Sequence, residues 1–236
     1  IRTSGKALLT LINDILDLSK VESGKFELQY TPISIADLFS EVEIIMGQKI
    51  NDKGLEFAIN IDPDVPETLI LDEVRLRQVL INLVSNALKF TNNGFIDLSS
   101  KCLFADDQTR NVCSLKISVQ DSGIGIPENQ QEKIFWAFEQ MSGQKVKNFG
   151  GTGLGLALSK RLIQLMTGNL SVESEVDKGS TFIIELPHVE VAAAQMIHKE
   201  SLENLKNVTF TPAHILIADD VDYNREILQT YLQNYD

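Results

Sequence analysis

Cysteine is scarce: Cys102 and Cys113 are the only two in the chain. They form neither a disulfide framework nor a metal-spaced cluster, which fits a reducing, cytosolic setting. Positive charge is in deficit, with 21 Lys and Arg against 33 Asp and Glu and a net charge of -12. That excludes the broad basic footprint that grips nucleic acid or an anionic membrane, while leaving room for a local basic pocket around a phosphate. No apolar run is long enough to span a bilayer, and the start at Ile1 lacks the shape of a signal peptide. There is no internal repeat. What is present is 236 residues, 43% hydrophobic and 23% charged, enough for one to two domains with a sizeable core. The chain begins without Met and stops inside a new element, so it reads as a fragment. The expected location is the cytoplasm, with the full-length protein open to an inner-membrane anchor.

Residues 1 to about 23 carry Leu8, Leu11, Ile15 and Leu18 at helical spacing, and Leu9, Ile12 and Leu16 widen the stripe. So broad a stripe on a short helix needs a partner helix. Phe26 to Ile35 alternates like a strand. Ser34 is placed to cap a helix from Ala36 to Lys49, with Leu38, Val42 and Ile45 on one face. After a turn at Asn51 to Gly54, Leu55 to Ile61 reads as a strand. Asp72 opens a long helix to Phe90, which Asn92-Asn93-Gly94 ends. Phe95 to Leu103 and Val112 to Val119 read as an antiparallel pair. A short helix near Ile134, a polar segment from Gln140 to Asn148 and a helix from Thr152 to Thr167 come next. Leu170 to Ser174 and Thr181 to Leu186 are strands around Asp177-Lys178-Gly179. Val189 to Val208 reads as a linker, and the residues from His214 as a strand, an acidic turn and a helix. The predicted fold is an α/β sandwich, a mixed and mostly antiparallel sheet against helices.

Three stretches suit a nucleotide. In DEVRLRQVLINLVSNALKFT, Leu76, Leu80, Leu83, Ala87 and Phe90 mark the packed face. Asn82, Asn86 and Lys89 form a second stripe about 100° further round the helix, extended by Arg75 and Gln78. Asn is a poor helix former. The stripe is either a solvated face with incidental amides or a row of groups for a hydrated metal ion, with Lys89 for phosphate. In VQDSGIGIP a strand feeds Asp121, then Gly123 and Gly125. A glycine turn after a strand is common; alternatively, Asp121 accepts from an exocyclic amine such as that of adenine while the glycines let a base approach. In FGGTGLGLAL, Gly150, Gly151, Gly153 and Gly155 run into a helix. Unpaired N–H groups at a helix start favour phosphate, although a flexible loop with close packing reads the same way. No Walker Lys-Ser/Thr comes after it, and no strand precedes it as in a dinucleotide fingerprint.

Together and in this order the stretches resemble the sensor histidine kinases. LINLVSNALKFT is similar to their N box, DSGIGIP to G1, IFWAFEQ to the F box and GGTGLGLAL to G2. The resemblance implies a Bergerat-type ATP-binding fold, shared with DNA gyrase and some chaperone ATPases, that uses ATP and Mg²⁺. Carried over by position, it makes Asn82, Asn86 and Lys89 catalytic. Asn86 would coordinate Mg²⁺, Asn82 and Lys89 would contact phosphates and Asp121 would read adenine. Gly123, Gly125, Ile126, Phe138, Gly151, Thr152, Gly153, Leu154, Gly155 and Leu156 would line the pocket, with Thr181 on its floor. Residues 139 to 150 would be the lid, where Lys145 and Lys147 are further phosphate candidates that no family position matches. ATP-hydrolysing cousins carry Glu one turn before the metal Asn, as a base for water. Asn82 stands there, and an amide is a poor proton acceptor. Trp136-Ala137 departs from the usual Glu-Pro of the F box.

None of His188, His198 and His214 has the flanks of a phosphoacceptor. GKALLTLINDILDLSKVESGK is similar to the second helix of the dimerisation hairpin, so the acceptor His would lie upstream. ILIADDVDYNREIL resembles the start of a receiver domain, with Asp219 and Asp220 as an incomplete Mg²⁺ site. The expected layout is 1–24 dimerisation helix, 25–188 ATP-binding domain, 189–212 linker and 213–236 truncated receiver. The expected function is transfer of the γ-phosphoryl of Mg-ATP to a histidine in a hybrid two-component kinase. Expected partners are the upstream phosphoacceptor helix, a second copy through the N-terminal helix and a receiver domain, with no nucleic acid. The alternatives are an ATPase or ATP-driven clamp of the same fold, and a docking module with a decayed site.

Overall fold

A computed structural model describes residues 12, 15–21, 23, 26–104, 110–137 and 153–192. The chain divides into units 1–193 and 194–236, and the second lies outside the described residues. So do Phe138, the expected lid, Gly151, Thr152 and the expected receiver residues Asp219 and Asp220.

The elements run α1 (15–21), then β1 (Thr31–Ile33), α2 (Ile35–Asp52), β2 (Glu56–Ile61), β3 (Leu69–Leu71), α3 (Glu73–Phe90), β4 (Phe95–Phe104), β5 (Val112–Asp121), α4 (Glu128–Gln131), a 3-10 turn (Lys133–Phe135), α5 (Gly155–Leu165), β6 (Asn169–Glu175) and β7 (Gly179–Glu190). The main sheet has the order β2-β4-β5-β7-β6, and β1 pairs with β3 in a second small sheet. The β2–β4 pair is parallel; β4–β5, β5–β7 and β6–β7 are antiparallel. This is the expected mixed α/β sandwich.

Alternation explains the layers. On β4, Ile96, Leu98 and Cys102 are buried, and on β5 Cys113, Leu115, Ile117 and Val119 face the same side. Against that face α2 brings Leu38, Phe39, Val42, Met46 and Ile50. Helix α3 brings Leu76, Val79, Leu80, Leu83, Val84 and Ala87. Helix α5 brings Leu158, Leu162 and Ile163.

Four expectations about the elements change. The strand expected over Phe26 to Ile35 shrinks to Thr31–Ile33, because Ile35 already belongs to α2 behind the cap Ser34, whose hydroxyl accepts from the Asp37 N–H. Ile45 is 43% exposed, since the buried stripe of α2 is centred on Val42 and Met46 and leaves Ile45 at its margin. Helix α5 begins at Gly155 rather than Thr152. Strand β7 continues through Pro187 to Glu190, so the first residues of the expected linker belong to the sheet. Val189 is buried and pairs with Cys113 across a register shift that accommodates a proline without an N–H. Val191 then bridges to Leu69.

The start of α3 holds neighbouring segments in place. Asp72, 3% exposed, caps the helix: its Oδ1 accepts from the Arg75 N–H at 3.0 Å, and its Oδ2 from the Gln29 N–H at 2.8 Å. Arg75 lies 4.6 Å over the Phe26 ring and pairs with Asp17 of α1 at 3.2 Å. The ion pair is partly exposed and adds little by itself; the buried cap dominates. Asp72→Ala is expected to lower unfolding stability by about 1–3 kcal/mol, while Asp72→Asn keeps most of it. Urea denaturation checks this, and an unchanged Asp72→Ala midpoint would contradict the cap's role.

Candidate functional site

Helix α3 carries the first part of the site on the flank beside its buried row. Asn82, Asn86 and Lys89 are all half-buried there, next to the fully buried Leu83 and Val84. Among the described residues the Asn86 side chain has no hydrogen-bond partner. The Lys89 ammonium lies 4.8 Å from the Phe90 ring, and partial burial pulls its pKa below the usual lysine value. An ammonium held at a low-dielectric edge is well suited to a compact anion.

Helix α5 packs across this flank. The Asn82 Nδ2 donates to Ser159 Oγ at 2.9 Å, and Ser159 is 3% exposed. One turn earlier, a Cβ on Gly155 would overlap Asn82 Oδ1. Gly155 thus has a local reason to be glycine: α5 and α3 meet too closely for a side chain. Leu154, fully buried, precedes the helix and gives it no side-chain cap, and Gly153 has φ 72°. Leu156 is half-buried and packs against the core.

Asp121 ends β5 with 5% exposure. Its Oδ1 accepts from the Gly123 N–H at 2.8 Å and from Thr91 Oγ1 at 3.5 Å. Burial pushes the carboxyl pKa up, and those donors pull it partly back. Thr91 is itself the fully buried cap residue at the end of α3, and the Ile124 N–H bonds the Phe90 carbonyl at 3.4 Å. The loop after β5 is therefore tied to the end of α3. Ile126, buried, donates its N–H to Ser174 Oγ at 2.7 Å, which ties the same loop to β6.

Gly125 has φ 67°, and a Cβ there would overlap the Glu175 carbonyl. The space beside it is filled by the protein's own backbone, so this glycine is required by packing rather than by room for a base. Thr181 is also displaced from its expected role. It pairs with Gln120, on the other face of the sheet from Asp121; Ser180 is the residue in register with Asp121, and it is 7% exposed. A strand alternates its faces, so a shift of one residue moves a side chain to the opposite side.

The structure thus brings together Asn82, Asn86, Lys89, Asp121, Gly123 and the start of α5. Sequence reasoning missed Ser159, Thr91 and Ser180. Ser159 had one usable signal: it is a polar residue four positions after Gly155, within the row that buries Ala157, Leu158 and Leu162. Below α5, Phe135 packs edge-on to Phe182 at 6.4 Å and carries the Lys160 ammonium 4.4 Å over its ring. Trp136, where the family pattern is broken, is 55% exposed.

Residues 71–190 match the model of the histidine kinase-, DNA gyrase B- and HSP90-like ATPases. The chain belongs to this family. The histidine-protein kinase BarA of Escherichia coli K12 is 41% identical over 183 residues, covering 77% of this chain and 20% of BarA. The sensor protein GacS of Pseudomonas syringae pv. syringae is 37% identical over 234 residues, covering 99% of this chain and 25% of GacS. This chain therefore spans a quarter or less of those two relatives. Among solved structures, full-length ShkA in complex with AMPPNP is similar at TM-score 0.69 and 34% identity, over 81% of this chain and 38% of that one.

The buried carboxyl of Asp121 gives two linked expectations. Its folded pKa lies above the unfolded value, so the ionised form weakens the fold at neutral pH, and that penalty fades as pH falls through the folded pKa. Asp121→Asn removes the charge. The stability of the wild type relative to Asp121→Asn should therefore rise on acidification, which paired melts across pH will show; a difference independent of pH would contradict the burial argument. The same variant should lose preference for adenine over guanine nucleotides by about 10-fold or more, and an unchanged preference would refute Asp121 as the base reader.

Proposed function

We propose that this chain is the ATP-binding catalytic part of a hybrid sensor histidine kinase, and that it delivers the γ-phosphoryl group of Mg-ATP to a histidine outside residues 1–236. The observation that carries the reading is Asn82. The place where hydrolysing cousins are expected to hold a carboxylate base carries an amide, already hydrogen-bonded to Ser159. It has no basic site with which to activate water. Family membership, the kinase names of the relatives and the AMPPNP-bound neighbour support ATP as the ligand.

Asp121 accepts from the adenine amine. Lys89, Gly153 and the start of α5 would face the phosphates; Gly151 and Thr152, outside the described residues, are proposed for the same role from the resemblance. Phe138 and residues 139–150, outside the described residues, are proposed from the resemblance as the nucleotide's cover. Mg²⁺ suits the donor set: the amide oxygens of α3 are hard neutral ligands, and such a site relies on phosphate oxygens and water for the rest. Among the described residues no group of three or more His, Cys, Asp or Glu could hold a metal ion by itself. Asn86 would hold Mg²⁺, which neutralises phosphate charge. The protein's own contribution is positioning and exclusion of water.

Ile12, Ile15 and Leu16 of the N-terminal helix are 44%, 41% and 51% exposed, which supports a second copy as partner along that helix. A ThkA structure, 27% identical with TM-score 0.59, is a complex with the response regulator TrrA. It supports a receiver as phosphoryl acceptor, and the GacS match continues through the stretch containing Asp219 and Asp220. Among the described residues no helix is long and apolar enough to cross a membrane; the cytoplasm is the location we propose for this part.

The test uses the full-length protein and γ-labelled ATP. Acid-labile label on histidine is expected, and Asn86→Ala should cut it by about 100-fold while abolishing Mg²⁺-dependent ATP binding. Tight Mg-ATP binding by Asn86→Ala would overturn the metal assignment, and absence of label in the wild type would favour the ATPase reading.

A further inference from the structure

Helix α5 does more to Asn82 than pack against it. A primary amide has two chemically opposite ends: an oxygen that accepts and an NH₂ that donates. Rotating it by half a turn exchanges them at nearly constant shape. Which end meets a ligand depends on what holds the other. In this protein the NH₂ end donates to the Ser159 hydroxyl, which lies 2.9 Å away and is almost wholly withdrawn from water. A hydroxyl can serve either end of an amide, so Ser159 selects the donor end only together with the contact on the oxygen. The oxygen end lies against Gly155, so closely that a Cβ there would overlap it. Gly155 and Ser159 are four residues apart on α5 and therefore on the same face of that helix. The two residues grip one side chain from two sides.

We propose that Ser159, together with the bare backbone of Gly155, is a positioning residue that fixes the Asn82 amide with its oxygen toward the start of α5. The inference rests on the reading of this site as an Mg-ATP site. It also alters one expectation within that reading. Phosphate oxygens are acceptors and would be repelled by an amide oxygen. A cation or its bound water is attracted to one. The clamp thus turns Asn82 from a phosphate donor into a group for the hydrated cation, one turn before Asn86. A serine that merely fills space in α5 would have no such effect.

The test is a binding cycle on the chain as it stands. ATP affinity is measured with Mg²⁺ and with EDTA for wild type, Ser159→Ala, Asn82→Ala and the double variant, with melting curves for each. In Ser159→Ala the Mg²⁺-dependent gain in affinity should fall about 3- to 10-fold, the effect of one lost hydrogen bond. Affinity in EDTA should stay within about 2-fold. In the Asn82→Ala background, Ser159→Ala should have no further effect, because the residue acts only through Asn82. Gly155→Ala, which pushes on the amide from the other side, should reproduce the loss of the Mg²⁺-dependent gain. An equal loss with and without Mg²⁺, or the same factor in both backgrounds, would overturn the clamp and make Ser159 a packing residue. A wild type whose affinity ignores Mg²⁺ would overturn the underlying site reading. Normal Mg²⁺ dependence in both wild type and Ser159→Ala would overturn the clamp alone.

Discussion

Burial of one row of α3 constrains almost everything else. Leu76, Leu80 and Leu83 are fully buried, and Ala87 nearly so. Each large side chain withdrawn from water contributes roughly 1.5–3 kcal/mol, so the helix is strongly held against rotation about its axis. A helix that cannot rotate must present its neighbouring row in one direction. That row holds Asn82, Asn86 and Lys89. The chemistry is aimed by hydrophobic packing, and the polar residues need only occupy the right flank.

Two further contacts turn an oriented helix into a site. At its C-terminal end, Thr91 and the loop carrying Gly123 converge on the Asp121 carboxylate, so the end we propose to read the base is built from α3 and β5 together. Along its flank, α5 approaches Asn82 through a glycine and a serine. The start of α5 therefore lies beside the asparagine row. At the opposite end of α3, the Asp72 cap and the Arg75–Asp17 pair connect the ATP-binding layers to the N-terminal helix. A single helix thus touches the loop after β5, helix α5 and the segment expected to carry the dimer contact.

Legibility in the sequence tracked the strength of the physical signal. Helix α3 was readable because its cap, its apolar period and its polar period agree, and it runs from Glu73 to Phe90 as expected from Asp72. The β4–β5 pair was readable because each strand alternates over ten residues. Strand β3 is only three residues long, too short to show a period, and was missed. Thr181 was placed correctly on its strand but on the wrong face, since a glycine turn does not fix the parity of the strand it leads into; the register with Asp121 selects Ser180. Ile45 failed by a small angle at the edge of a stripe. Ser159 offered only its polarity within a buried row: its partner lies 77 positions away, and no local pattern encodes that meeting.

The kinase reading depends on one chemical substitution, an amide where water activation needs a carboxylate. The most direct measurement is phosphate release from saturating Mg-ATP by this chain, with the bound nucleotide quantified in the same sample. The expected result is stoichiometric bound ATP that stays intact over many minutes, waiting for a histidine acceptor. Steady turnover to ADP and phosphate would contradict that reading, because water would then be a competent acceptor in spite of Asn82.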